Sequence, residues 1–147
     1  GLNPDVVENA AMLHDIGIVR CDAAGIDCFG KEPYLCHGRI GAGMLRDDAE
    51  LFGFKRMKSN LSQGFASETG AGLTKEDIIN QGLPLPPQDF LPETTMEKVI
   101  CYADKFFSKT HPDREKPLEK VLKSLKRFGD DNVACFMEWH KLFEPEQ

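Results

Sequence analysis

No run of apolar residues in this chain approaches the roughly 18–20 that a membrane-spanning helix needs, so no membrane partner is expected. Basic charge is not in excess either. Lys and Arg number 18 against 24 Asp and Glu, a net charge of −6, whereas proteins built to coat nucleic acid carry a basic surface. Nucleic acid is therefore an unlikely partner on composition, although a small local basic site stays open. Five cysteines (Cys21, Cys28, Cys36, Cys101, Cys135) form an odd set without a Cys-x-x-Cys pair, which argues against a disulfide framework. Free thiols suit a reducing compartment, and the cytoplasm is the expected location. The start Gly-Leu-Asn-Pro shows no charged-then-apolar leader. With 41% apolar and 29% charged residues the composition is that of a globular protein, and 147 residues make about one domain, here expected to span residues 1–147.

No segment alternates apolar and polar residues for long enough to predict a strand, so the expected fold class is all-α. What is present is helical periodicity. Asn3-Pro4-Asp5 carries a cap, a first-turn proline and an early acid, and Val7, Ala10, Ala11 and His14 share one face of a helix from about Pro4 to His14. Residues 20–36, with Gly25, Gly30 and Pro33, read as a long loop. His37, Ile40, Gly41, Met44 and Leu45 then repeat at helical spacing. Residues 47–68 carry no clear element. Thr74 to Asp77 resembles a capped helix start, and the proline-rich stretch 82–92 must be extended. Residues 94–109 make the strongest helix, with Met96, Val99, Ile100, Ala103 and Phe107 on one side and Thr94 or Thr95 as cap. Two amphipathic helices follow, one around Leu118–Leu125 and one around Val133–His140, parted by a turn at Gly129.

His14 with Asp15, His37 and Asp104 fall on or beside inward stripes of three helices. Burying a carboxylate costs several kcal/mol unless it is paired or coordinates a cation. A divalent metal would serve all of them, and imidazole plus carboxylate without thiolate suits Mn, Fe, Mg, Ni or Zn alike. Each residue also has a plainer reading: a satisfied core histidine, a turn aspartate, or, for Asp104, a salt bridge to a neighbouring lysine. Cys21, Cys28, Cys36 and His37 lack the paired spacing of a structural zinc site.

The stretch Ala10-Ala-Met-Leu-His-Asp-Ile-Gly-Ile18 resembles the signature of the HD superfamily of metal-dependent phosphohydrolases in its HDIG form. Further along, Glu93-Thr-Thr-Met-Glu-Lys-Val-Ile-Cys-Tyr-Ala-Asp-Lys-Phe106 is similar to that family's closing motif, and the resemblance spans roughly Pro4 to Lys109. It implies an HD-like helical bundle with His14, Asp15 and Asp104 as metal ligands and His37 as the additional histidine of some members. Glu68, before Thr69-Gly70-Ala71-Gly72, stands where similar members carry a ligating His. The family's first histidine, on a preceding helix, has no counterpart, as if the chain were truncated at its N-terminus. Two functions follow from the resemblance. One is a phosphohydrolase acting on a nucleotide or other small phosphate ester; the other is an inactive HD-fold binding or structural module with an incomplete metal site. In the first, the ion would activate water with Asp15 and Lys105 in catalytic roles, and Arg20, Arg39 and Lys109 would hold the substrate's phosphate. A bundle face left open by truncation would favour a homo-oligomer.

Residues 104–128 carry eight basic and four acidic groups, 8 − 4 = +4, which leaves −10 for the rest. An anionic partner is one meaning of that asymmetry. A solvated helix face is the other, because Lys120, Lys123, Lys126 and Arg127 lie opposite Leu118, Val121, Leu122 and Leu125.

Overall fold

A computed structural model describes residues 1–47 and 72–144. Helix α1 (Pro4–Leu13) starts where the sequence predicts, with the Asn3 side chain accepting from the Asp5 amide at 3.0 Å. A tight 3₁₀ turn, Ile16–Arg20, follows and leads into two short strands, β1 (Asp22–Ala23) and β2 (Cys28–Phe29). These pair antiparallel, Asp22 with Phe29 and Ala23 with Cys28. The all-α expectation is therefore corrected: the fold is a helical assembly with a small two-stranded sheet. Two residues per strand are too few to show alternation, and the turn between them uses Asp27 in the left-handed region (φ 57°), so the hairpin looks like loop in sequence.

Helix α2 (His37–Asp47) packs on the Ile16–Arg20 turn. Gly17 makes that approach possible, because a Cβ there would collide with the His37 carbonyl and the Gly41 amide. Gly17→Ala is expected to destabilise the protein by about 1–3 kcal/mol, the range for overpacking, measured by chemical denaturation.

Helix α3 (Lys75–Gln81) and helix α4 (Thr95–Asp104) both open on capping boxes, Thr74 with Asp77 and Thr94 with Glu97. Leu73, Ile78 and Phe90 form a small core of their own, tied by the Leu73–Phe90 bridge. Helix α5 (Leu118–Leu125) and helix α6 (Asp130–Phe143) complete the described chain, with Gly129 at φ 105° breaking the backbone between them. The main core joins Ala10 of α1, Met96, Ile100, Cys101 and Tyr102 of α4, then Phe106, Val121, Leu125, Phe136 and Trp139.

The helix expected over 94–109 stops at Asp104. Phe106 turns inward with 7% exposure, and Phe107, expected inside, is 46% exposed. No helix among the described residues is long and apolar enough to cross a membrane.

Candidate functional site at the end of helix α4

The C-terminal end of α1, the N-terminal end of α2 and the C-terminal end of α4 converge. His14 caps the end of α1 and donates from Nδ1 to the Ala11 carbonyl at 2.6 Å. His37 opens α2 and donates from Nδ1 to the Tyr34 carbonyl at 2.7 Å. A carbonyl can only accept, so each ring carries a proton on Nδ1, and each turns Nε2 toward carboxylates. His14 Nε2 lies 3.2 Å from Asp15 Oδ2 and 3.4 Å from Asp104 Oδ1, and His37 Nε2 lies 3.4 Å from Asp15 Oδ1. His37 is almost fully buried at 1% exposure.

Lys109 completes the cluster, because the chain turns back after α4. Its Nζ stands 3.1 Å from Asp15 Oδ2 and 3.5 Å from Asp104 Oδ1, with Lys105 Nζ a further 4.0 Å from Asp104 Oδ2. Burial opposes ionisation of Asp15, but His37, His14 and Lys109 outweigh it and hold the carboxyl below its usual range. Burial likewise opposes the charge on Asp104, and His14, Lys109 and Lys105 together hold that carboxyl well below the normal carboxylate range. Desolvation alone would lower the Lys109 pKa, yet Asp104 and Asp15 push it above the ordinary lysine value. His14 follows the same logic: burial lowers its pKa, while Asp104, Asp15 and the Ala11 carbonyl raise it overall.

The predicted residues thus divide. His14, Asp15, His37, Asp104, Lys105 and Lys109 come together. Arg20 and Arg39 do not; they line a separate surface pocket with Phe29 and Lys31. Glu68 lies outside the described residues.

Beside the cluster opens a cleft of about 510 Å³, to which Asp104, Lys105 and Lys109 contribute. Its other cations are Lys116 and Arg127, and its rings are Tyr34, Phe107 and Phe128. These cations are held in place. Lys116 Nζ donates to the carbonyls of Phe107 at 2.9 Å and Lys105 at 3.3 Å, and Arg127 Nε donates to the Ser124 carbonyl at 3.2 Å with its guanidinium 5.8 Å from the Phe128 ring centre. Sequence reasoning missed Tyr34, Lys116 and Arg127 as site residues. The signal for the last two was the +4 segment over residues 104–128, which reads equally well as a solvated helix face.

No family model matches the chain, and no solved structure does. Among curated proteins, an uncharacterized protein of Methanocaldococcus jannaschii is 33% identical over 131 residues, covering 88% of this chain and 64% of that protein. The tRNA (cytidine(56)-2'-O)-methyltransferase of Thermoplasma volcanium is 27% identical over 130 residues, 88% of this chain and 32% of the enzyme. Its namesake in Picrophilus torridus is 33% identical over 103 residues, 70% of this chain and 24% of the enzyme. The chain therefore spans less than two thirds of the length of each of these relatives.

These relatives correct the functional expectations. The two that carry an activity in their names are tRNA methyltransferases, not phosphohydrolases, which overturns both the HD-superfamily resemblance and the reading as a hydrolase of small phosphate esters. The same names overturn the expectation that nucleic acid is an unlikely partner. The divalent metal falls with them, and the geometry supplies a physical reason. His14, Asp15 and Asp104 do bring ligand atoms within 4.8 Å of one another, a spacing that could hold a cation. The cation that their buried charge demands is the Lys109 ammonium, in contact with both carboxylates.

Proposed function

We propose that this chain holds RNA in a tRNA 2'-O-methylating protein of the cytoplasm, and that the cleft beside Asp104 is the seat of one nucleotide. The observation that supports this is the cleft's composition. Fixed cations and aromatic rings are gathered there in a chain of net charge −6, which would otherwise repel RNA. Lys105, Lys116 and Arg127 take phosphate oxygens as charge-assisted donors. Tyr34, Phe107 and Phe128 offer faces on which a base stacks.

Asp104 lines the cleft, stays ionised and accepts from ribose hydroxyls, which distinguish RNA from DNA, while Asp15 stands behind it on Lys109. The low basicity of Asp104 suits it to orient a hydroxyl rather than remove its proton. Lys109 keeps both carboxylates in position. The chain spans a third or less of the named methyltransferases, and the part of their task that it serves is holding RNA.

Fluorescence anisotropy with a labelled tRNA transcript tests this. Wild type should bind at about 50 mM salt and lose affinity steeply by about 200 mM. A Lys116→Ala, Arg127→Ala double variant should bind roughly tenfold more weakly and show a log–log salt slope shallower by roughly 2. A wild-type chain that ignores tRNA at low salt, or a variant with an unchanged slope, would overturn the proposal.

A further inference from the structure

We infer that the surface around Phe29 is a second RNA contact, which takes an unpaired nucleotide run by stacking one base on the ring and seating flanking phosphates on Arg20, Lys31 and Arg39. This rests on the RNA-holding function proposed above but uses a different part of the molecule.

Phe29 is 77% exposed, which leaves its ring open to solvent. It borders a pocket of about 790 Å³ that Val19 and Ile40 also line. Three cations line that pocket against one acid, Glu32. An apolar ring set among positive charges suits a base between two phosphates, whereas a neutral protein surface would use the ring without needing the cations.

The backbone beneath this surface is tied by main-chain hydrogen bonds. The Arg20 carbonyl accepts from both the Lys31 and Glu32 amides at 3.1 Å, and the Gly30 amide donates to the Cys21 carbonyl at 2.8 Å. A side chain at Gly30 would collide with the Arg20 backbone, so glycine is what lets the strand carrying Phe29 lie flat against Arg20. The backbone that carries Arg20, Phe29 and Lys31 is thereby held by main-chain bonds, which spares the backbone ordering entropy that a flexible loop would lose on binding.

Two labelled probes decide the matter: a single-stranded oligouridylate of about ten nucleotides, matched to typical single-strand site sizes, and the tRNA transcript. Phe29→Ala should weaken oligouridylate binding roughly 5- to 100-fold with the salt slope unchanged, because stacking releases no counterions. Phe29→Trp should restore it. An Arg20→Ala, Arg39→Ala double variant should make the slope shallower by roughly 1.4, the single-strand value for two phosphate contacts. All these positions are on the surface, and circular dichroism will confirm that the variants fold. If Phe29→Ala binds both probes like wild type while the Lys116→Ala, Arg127→Ala variant is impaired, the second contact is wrong and the cleft stands. If wild type binds neither probe, both are wrong.

Discussion

Replacing Lys109 with methionine is expected to destabilise the protein by about 2 kcal/mol at neutral pH. That is less than the 3–5 kcal/mol for breaking a fully buried pair, because part of each side chain meets solvent. Lys109 is in contact with both Asp15 and Asp104, so its loss leaves two carboxylates facing each other across His14. The penalty should depend on pH in a defined sense. The folded-state pKa values of both acids lie below their unfolded values, so their ionic stabilisation is fully present above about pH 4 and is lost as pH falls through the folded values. Lys109 is shifted upward, so its share is present below about pH 10 and lost as pH rises through its folded value. The gap between wild type and variant should therefore be widest between about pH 4 and pH 10 and narrow outside that window, as read by urea denaturation across pH. A gap that does not change with pH would mean that Lys109 acts through packing alone.

Phe136→Ala should have the largest effect on stability, about 3–5 kcal/mol. Phe136 has no exposed surface, stacks on Tyr102 at 5.0 Å and meets Phe106 and Trp139 at 6.0 and 6.5 Å. Tyr102 and Phe106 flank Asp104 and Lys105 in the chain, so this core fixes the end of α4 that carries the site. Below its unfolding transition the variant should still bind tRNA, with affinity falling only as it melts. Thermal denaturation alongside anisotropy over the same temperatures checks this; a loss of binding far below the transition would place Phe136 in direct support of the site.

Much of the helical framework was legible because caps and apolar stripes are local signals. Asn3, Thr74 and Thr94 each cap as their sequence contexts predict, and Val121 and Leu125 are buried as the periodicity of α5 requires. The hairpin was not legible, since two-residue strands carry no period. The end of α4 was misplaced by the same rule that found its start: Phe107 continues the stripe in sequence, but the turn after Asp104 buries Phe106 instead and sends Lys109 back to Asp15. That reversal decided the chemistry of the cluster. Sequence spacing marks His14, Asp15, His37 and Asp104 as a set that needs a cation, and for Asp104 that cation is a lysine five positions away. Arg20 and Arg39, near the cluster in sequence, were sent elsewhere by the hairpin and by the outward face of α2.

The most direct test of the central claim is photocrosslinking of thiouridine-substituted tRNA to the wild-type chain, with adducts assigned by mass spectrometry. RNA seated in the cleft predicts adducts on Tyr34, Phe107 or Phe128, reduced in the Lys116→Ala, Arg127→Ala variant. Adducts confined to other surfaces, or undiminished in that variant, would contradict it.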